Sequence, residues 1–262
     1  TADFGKTWQK IVNGIPENDF PRVIREDPKR KGLLYVGTEH GIYVSFNDGA
    51  AWQSLALNLP TTPVHGIVVE ERDLVIGTHG RGFYILDNIG VLRQATPELT
   101  SRNLFVFETF NPLRGRDRNV TFDYYLAKEA DEVKIEFLDA QGTVLRSFTG
   151  SPKEKEAPQD ERAAFFGGGP ARVGTAKGMN RFTWDMRYEG ADVFPGMIMW
   201  AARPQRGPAA PPGKYTVRIT ANGETQTRDF TLGIDPRLLE AGITEAYLHE
   251  QFKLSTQVRD AV

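Results

Sequence analysis

Thr1-Ala2-Asp3-Phe4-Gly5-Lys6-Thr7-Trp8 opens the chain and fits the pattern Ser/Thr-x-Asp-x-Gly-x-Thr-Trp. A degenerate copy follows at Ser45-Phe46-Asn47-Asp48-Gly49-Ala50-Ala51-Trp52. The tryptophans at the ends of the two copies, Trp8 and Trp52, are 44 residues apart, which suits one four-stranded blade of a β-propeller. This motif, the Asp-box, joins the third and fourth strands of a blade. No third strand precedes Thr1, so we expect the chain to carry the last blades of a propeller whose other blades lie elsewhere.

The residues of this motif shape a turn and do not suggest catalysis. The Asp or Asn side chain accepts hydrogen bonds from nearby backbone N–H groups, the glycine tolerates a positive φ, and the tryptophan is expected to wedge into the blade packing. Asp3 is therefore a poor catalytic candidate. The structural Asp-box residues are Asp3, Gly5 and Trp8 in the first copy and Asn47, Gly49 and Trp52 in the second.

Short β-branched runs separated by Gly, Pro and Asn predict an all-β protein, with residues 1–94 forming a partial propeller of two blades and one strand. Trp8–Val12 is predicted as the outer strand of an incomplete blade. The next blade comprises Phe20–Glu26, Leu33–Thr38, Ile42–Ser45 and Trp52–Leu57. The last comprises Val64–Glu70, Leu74–Thr78 and Phe83–Leu86, with Ile89–Arg93 as a candidate fourth strand.

The repeat ends near residue 95, and residues 95–119 are predicted as a connector that contains one strand at Leu104–Phe107. Alternating runs such as Val120–Leu126 and the hairpin signal Asn222-Gly223 predict an immunoglobulin-like β-sandwich over residues 120–236. Residues 237–262 are predicted as a C-terminal helical segment, in which Thr244 caps a helix that runs to Val262. Its apolar residues fall near one face: Tyr247, Leu248, Phe252, Leu254 and Val258.

Several motifs together resemble one protein family. The Asp-boxes and Gly77-Thr78-His79-Gly80-Arg81-Gly82-Phe83 resemble the closing blades of bacterial sortilin-type propellers with BNR repeats, which are often labelled glycosyl hydrolases. The segments 178–188, 194–197 and 210–215 are similar to the sandwich that follows the propeller there, and to a domain of flagellar hook-capping proteins. The resemblance implies a secreted or periplasmic protein. The hydrolase label in this family rests largely on the propeller itself.

One face of the predicted blades collects polar side chains. Turns between second and third strands, and segments leading into a new blade, share the face opposite the Asp-boxes, where propeller ligands usually bind. The candidate ligand-binding residues are Glu39, His40, His65, His79 and Arg81, with Asp19 beside them. The alternative is structural: Gly80 and Gly82 mark a tight turn, and Arg81 then bonds a neighbouring segment.

No catalytic residue, cofactor or metal site is predicted. The chain has no cysteine, the histidines lack a metal-ligand spacing, and Gly167-Gly168-Gly169 lacks the strand and helix of a phosphate loop. A glycoside hydrolase needs two facing carboxylates. The chain offers four candidate carboxylates, Glu39, Glu70, Glu71 and Asp73. The last three belong to an exposed turn on the Asp-box face and are discounted. If the whole protein is a glycoside hydrolase acting on polysaccharide, we expect its acids mainly in upstream blades.

Composition narrows the remaining function classes. A net charge of −2 and the absence of a long apolar run argue against a nucleic-acid partner and a membrane span. Trp184-Asp185-Met186-Arg187-Tyr188 fits either a carbohydrate platform or a core strand, and we favour the core strand. The expected role is non-catalytic: closing the propeller and forming a binding face for a peptide, protein or glycan. The expected partner is the upstream propeller segment of the same protein or another copy.

Overall fold

The structure, a computed structural model, describes residues 1, 3–152, 172–192, 194 and 205–261. The chain is mostly β and divides into two compact units, unit 1 (Thr1–Thr96) and unit 2 (Pro97–Val262). Three features discussed above lie outside the described residues. They are the glycine run at residues 167–169, most of the 194–197 segment and the predicted helix end at residue 262.

Unit 1 contains two antiparallel sheets in which strands adjacent in sequence pair with one another. The first sheet, in order, is β1 (Pro21–Glu26), β2 (Leu34–Thr38), β3 (Ile42–Ser45) and β4 (Gln53–Ser54). The second is β5 (Val64–Val69), β6 (Leu74–Thr78) and β7 (Phe83–Leu86). These strands confirm the predicted ones, although β4 is shorter than expected.

The two sheets of unit 1 enclose a shared apolar core, because one face of each strand carries branched aliphatic side chains. Leu33, Tyr35 and Val44 from the first sheet region pack with Ile67 and Ile76 of the second. Gly37 at the end of β2 lies against the start of β5: a Cβ at this position would sit 2.6 Å from the Val64 carbonyl oxygen. Glycine therefore permits the ends of β2 and β5 to meet.

Two predicted strands of unit 1 are absent. Residues 8–12 form no strand, and Val12 and Ile15 instead pack against Trp52, whose backbone N–H donates to the Asn13 carbonyl at 2.8 Å. The segment expected as a fourth strand at Ile89–Arg93 is instead the short helix α1 (Gly90–Gln94). Side-chain hydrogen bonds from Arg30 and Arg93 hold this helix in place. The local sequence pattern could not predict these bonds, because they join residues far apart in the chain.

Unit 2 has two sheets. The three-stranded sheet has the order β13-β10-β8 and the five-stranded sheet the order β12-β11-β14-β15-β9. The strands are β8 (Leu104–Val106), β9 (Leu113–Arg114), β10 (Val120–Leu126), β11 (Val133–Asp139), β12 (Val144–Gly150), β13 (Gly178–Trp184), β14 (Gly213–Ala221) and β15 (Glu224–Ile234). A 3-10 helix spans Pro97–Ser101. The predicted connector thus supplies β8 and β9, which belong to the sheets because they pair with β10 and β15.

Aromatic side chains from both sheets fill the core of unit 2. Trp184 is fully buried and stacks on Phe137 with ring centroids 4.2 Å apart. Its indole Nε1 donates to the Arg187 carbonyl at 3.1 Å. A buried indole cannot stack on an external sugar, so Trp184 belongs to a core strand, as we favoured, and forms no carbohydrate platform.

Two helices end the described chain, α2 (Pro236–Glu240) and α3 (Glu245–Asp260). Thr244 caps α3 as predicted, accepting a bond from the Tyr247 N–H at 3.4 Å. The helix contacts the rest of unit 2 through Phe252, whose ring lies 4.5 Å from that of Tyr188. Leu254 and Val258 are exposed, so the packed face is narrower than the predicted apolar face. Within the described chain, no helix has the length and apolar character that crossing a membrane requires.

Candidate functional site

The candidate site is one end of the two sheets of unit 1, where the turns after β2 and β6 lie. Both turns close in the same way: the Thr38 N–H donates to the Gly41 carbonyl, and the Thr78 N–H donates to the Gly82 carbonyl. Each turn is also tied to the segment that leads into the first strand of its sheet, since the Glu39 N–H donates to the Phe20 carbonyl at 3.0 Å. The His79 N–H donates correspondingly to the Pro63 carbonyl at 2.9 Å.

The close approach of Gly37 to Val64 puts these two turns at the same end of the unit. We call this end the histidine edge and define it by Asp19, Glu39, His40, His65, His79 and Arg81. His65 lies within β5, one residue inside the strand, whereas the sequence suggested a position just before a strand. The side chains of the histidine edge form two groups, one around Asp19 and one around His65.

Asp19 is the buried centre of the first group. Its Oδ1 accepts the His40 backbone N–H at 3.0 Å and faces His40 Nδ1 at 3.1 Å. Its Oδ2 accepts the Thr38 hydroxyl at 3.0 Å and the Tyr43 hydroxyl at 2.9 Å. Every bond to this carboxylate therefore comes from β2, β3 or the turn between them, and Asp19 locks that turn in place.

These bonds keep Asp19 ionised. Burial opposes the charged form, but the hydrogen bonds from Tyr43, Thr38 and His40 outweigh burial and lower the pKa of Asp19. An ionised carboxylate only accepts hydrogen bonds, so His40 Nδ1 carries the proton. The imidazole of His40 is half-exposed, and in the neutral ring its Nε2 is free to accept a hydrogen bond. This arrangement is suited to binding a donor group of a ligand.

The other members of the histidine edge are held more loosely. Glu39 accepts a hydrogen bond from Arg22 Nε at 2.7 Å, so its carboxylate is paired at the surface. His65 and His79 stack with ring centroids 5.5 Å apart and an interplanar angle of 23°. Arg81 is exposed between Gly80 and Gly82, which both adopt positive φ. The second group thus offers two imidazole rings and a guanidinium to solvent.

Sequence reasoning missed Thr38 and Tyr43, which bond Asp19, and Arg22, which pairs with Glu39. A signal was present for Thr38, because the Gly-Thr pair recurs as Gly77-Thr78. In the second sheet, Thr78 Oγ1 donates to the Gly82 carbonyl at 2.7 Å, which repeats the bond of Thr38 Oγ1 to Gly41. The Tyr43 bond had no signal, because it depends on the pairing of β2 with β3.

The histidine edge holds no assembled metal centre. Among the residues that the structure describes, no group of three or more His, Cys, Asp or Glu side chains is arranged to hold a metal ion. The carboxylates proposed for glycoside hydrolysis are also engaged: Lys29 Nζ lies 2.9 Å from Glu71, and Asp73 Oδ1 accepts the Asn88 N–H at 3.0 Å. The chemistry available at this edge is hydrogen bonding, stacking and charge pairing.

The two motif copies form turns with matching hydrogen bonds. The Gly5 N–H donates to Thr1 Oγ1 at 2.7 Å and the Thr7 N–H to Asp3 Oδ1 at 2.9 Å. In the second copy the Gly49 N–H donates to Ser45 Oγ and the Ala51 N–H to Asn47 Oδ1, both at 2.9 Å. Both glycines and both preceding residues have positive φ. Hydrogen bonds led by those from Thr7 lower the pKa of Asp3, which suits a structural carboxylate.

The two tryptophans of these turns differ. Trp52 is 5% exposed and its Nε1 donates to the Ile11 carbonyl at 2.8 Å, whereas Trp8 is 80% exposed. The expected wedge therefore forms at Trp52. It does not form at Trp8, whose indole is exposed.

Comparison with known proteins identifies no family. No family model and no curated protein matches the chain. Two solved structures resemble it weakly. A β-glucuronidase from Bifidobacterium dentium, complexed with coumarin-3-O-glucuronide, has a TM-score of 0.21 and 16% identity over 50% of this chain. Dimeric latent PorU from Porphyromonas gingivalis has a TM-score of 0.27 and 14% identity over 86% of this chain. The chain spans 17% of each of these structures, and neither likeness carries an argument about function.

Proposed function

We propose that the chain is a non-catalytic part of an exported Asp-box propeller protein, and that its histidine edge binds a peptide, protein or glycan. In this proposal the two sheets of unit 1 are the blades that close a propeller, and unit 2 is an immunoglobulin-like sandwich. The observation that carries the proposal is the repetition of one turn, with the same hydrogen bonds and backbone conformation, 44 residues apart.

The distribution of side chains supports a binding role. The hydrogen-bonded turn at residues 45–52 follows β3, while His40, His79 and Arg81 lie in the turns after β2 and β6, with His65 nearby in β5. Asp19 fixes His40, and the stacked pair His65–His79 adds a flat, partly polar surface. Such surfaces bind through hydrogen bonds to hydroxyl or amide groups and through contact with apolar ring faces.

A hydrolytic role for these residues has less support. Retaining glycoside hydrolases need two carboxyl groups about 5 Å apart, and inverting ones about 6.5–9.5 Å. Glu39 is paired with Arg22, and Glu71 with Lys29. Hydrogen bonding and charge pairing with Lys29 lower the pKa of Glu71, which is the opposite of what a general acid requires.

A binding screen tests the proposal. The chain is applied to a glycan array and to a phage-displayed peptide library, and hits are measured again with H79A and E39Q. We expect both variants to weaken the selected interaction by about tenfold, the loss of one charge-assisted hydrogen bond or one stacking contact.

E71Q is the matched control for E39Q, because both glutamates form a surface ion pair but Glu71 lies in the β5–β6 turn region outside the histidine edge. E71Q should bind like the wild type. Equal binding by H79A, E39Q and wild type would move the site elsewhere. Release of reducing ends from a polysaccharide, abolished by E39Q, would replace the binding role with a hydrolytic one.

A further inference from the structure

Trp52 occupies an apolar site on the first sheet of unit 1. Its indole Nε1 donates to the Ile11 carbonyl at 2.8 Å, in the segment that leads into β1. The indole is thus held between its own sheet and the chain that enters that sheet. The side chains that pack around it are Leu34, Val36, Tyr43, Val12 and Ile15.

The 44-residue repeat gives each of these positions an equivalent around the second sheet. Matching hydrogen bonds support the alignment: the Ile15 N–H donates to the Val12 carbonyl, and the Leu59 N–H donates to the Ala56 carbonyl 44 residues on. Within the strands, the Gly-Thr pair aligns β2 with β6, and the strand register then aligns β3 with β7. The positions equivalent to those around Trp52 are Leu74, Ile76, Tyr84, Ala56 and Leu59.

These equivalent residues line an open apolar pocket, together with Ile42, Leu55 and Leu86. The chain after β7 continues into α1, and residues 1–96 contain tryptophan only at positions 8 and 52. The pocket therefore has the apolar lining of the Trp52 site and stays open in the described structure. We call this pocket the tryptophan socket and define it by Leu74, Ile76, Tyr84, Ala56 and Leu59.

Trp8 is an indole without a site of this kind. Of the three tryptophans that the structure describes, Trp52 and Trp184 are buried, whereas Trp8 is 80% exposed. The turn that Trp8 ends has the same hydrogen bonds as the turn that Trp52 ends. Residues 8–12 form no strand, although their equivalents include β4, which pairs with β3.

Trp8 is anchored away from the socket of its own chain. Successive residues of β2 face opposite sides of the first sheet: Val36 packs with Trp52, whereas Tyr35 packs with the second sheet. Ile11, three residues after Trp8, bonds Trp52 on the first of these sides. The tryptophan socket lies on the other side, between the two sheets. A second copy can bring its Trp8 to the socket without this constraint.

The outer edge of β7 is suited to the strand that follows Trp8. In the described structure β7 is an edge strand of its sheet. On the corresponding edge of β3, the Ile42 carbonyl accepts the Leu55 N–H at 2.9 Å. Phe83 is the equivalent of Ile42, so its backbone groups point outward from β7. A strand added there places Ile11, the equivalent of Leu55, beside Phe83.

We propose that the tryptophan socket binds Trp8 of a second copy of this chain, and that residues 8–12 of that copy join β7 as a fourth strand. Burial of an indole removes a large apolar area from water, and sheet extension adds backbone hydrogen bonds. Each copy contributes both partners, so the contact is head-to-tail and builds rings or filaments. The inference rests on the part of the proposed function that treats the two sheets as propeller blades, and not on ligand binding at the histidine edge.

Disulfide cross-linking tests the pairing, because the chain has no cysteine of its own. Val44 pairs with Gln53 across β3 and β4, so the equivalent pair is Ile85 of one copy and Gln9 of the next. The Cα atoms of such a pair lie about 5.5 Å apart, which a disulfide can span. Differently tagged Q9C and I85C chains, mixed under mild oxidation, should form a heterodimer. The double variant Q9C/I85C should form a ladder of larger species.

V68C is the matched control for I85C, because both side chains are exposed on the same face of one sheet. Val68 lies three strands from the added strand, a distance of about 14 Å, so V68C should give no heterodimer with Q9C.

Sedimentation of the wild type measures the same contact without cysteines and should show association that depends on concentration. W8A should raise the dissociation constant about tenfold or more, since truncation of a buried tryptophan is costly at an interface. F4A is the control: it removes an exposed aromatic from the same turn, and its equivalent, Asp48, is exposed on the first sheet. F4A should associate like the wild type.

H79A separates this inference from ligand binding, because His79 is not part of the tryptophan socket. In the background of either cysteine variant, H79A should leave the yield of heterodimer unchanged. Circular dichroism confirms that each variant is folded, and the wild-type sedimentation decides the question if a variant is not. Equal yields with I85C and V68C, disulfides only within single Q9C/I85C chains, equal weakening by F4A, or a wild type that stays monomeric would each overturn the proposal.

Discussion

The second copy of the repeated turn keeps its closing hydrogen bond although Asn47 and Ala51 stand where the first copy has Asp3 and Thr7. Oδ1 of Asp3 accepts the Thr7 N–H, and Oδ1 of Asn47 accepts the Ala51 N–H at the same distance. Loss of the carboxylate charge therefore does not remove the bond that closes the turn. The first copy has one further bond, from Thr7 Oγ1 to Asp3 Oδ2 at 2.7 Å, which Ala51 cannot make.

The two tryptophans predict opposite outcomes for the same substitution. W52A should lower the free energy of unfolding by about 3–5 kcal/mol, because it removes a buried indole that contacts Ile15, Leu34 and Val36. W8A should change it by less than about 0.5 kcal/mol, since Trp8 is exposed. Urea unfolding measures both. Similar losses in the two variants would show that Trp8 has a packing partner.

At the level of elements, α1 is held by arginines where strand pairing was predicted. Arg93 Nε bonds both oxygens of the fully buried Asp27 carboxylate, at 3.0 and 2.9 Å, and its other nitrogens donate to the Glu70 and Glu71 carbonyls. Arg30 Nη1 donates to the carbonyls of Leu92, Arg93 and Ala95 at the end of the helix. A carbonyl cluster at a helix C-terminus favours a cation, so these contacts stabilise helix over strand.

Breaking this network should cost far more than breaking a surface pair. R93M leaves Asp27 buried without its counter-ion and should lower the free energy of unfolding by about 3–5 kcal/mol. K29A removes the exposed pair with Glu71 and should leave the urea midpoint almost unchanged. Chemical denaturation of both variants makes the comparison. A small effect of R93M would mean that α1 is held by its apolar contacts, chiefly Ile89.

At the scale of the whole molecule, one apolar sheet face of unit 1 is exposed among the residues that the structure describes. Across β5, β6 and β7 the register aligns Val68, Val75 and Ile85, with Phe83 beside them. Val68, Ile85 and Phe83 are 53%, 61% and 84% exposed. Contiguous apolar surface of this kind marks an interaction site. As part of the proposed function, we expect another sheet of the same architecture to cover it, either in the same protein or in another copy.

Charge on this face should prevent the contact. V68D/I85D should reduce self-association in sedimentation experiments, or block capture of a separately expressed propeller segment, and should leave unit 1 folded because neither side chain is buried. K177D is the matched control, because it changes the net charge by the same amount at an exposed position of unit 2. A monomeric wild type that captures no such segment would contradict this expectation.

Local pattern was sufficient for most of the strands and for the turn residues. Alternation and glycine positions located β1–β3 and β5–β7, and Thr244 marked the start of α3, because these features depend on neighbours within a few residues. The same local logic placed His40, His65 and His79 at turns or strand starts. It did not show that Asp19 and Tyr43 fix one histidine while the other two stack.

The sequence by itself determined the repeated turn, its glycine conformations and the β character of the chain, because backbone sterics and side-chain periodicity act over short distances. Only the tertiary structure decided that the segment Ile89–Arg93 forms the helix α1 instead of a paired strand, and that Trp52 is buried while Trp8 is not. These outcomes depend on which distant groups meet, since burial and charge pairing are set by contacts between residues tens of positions apart.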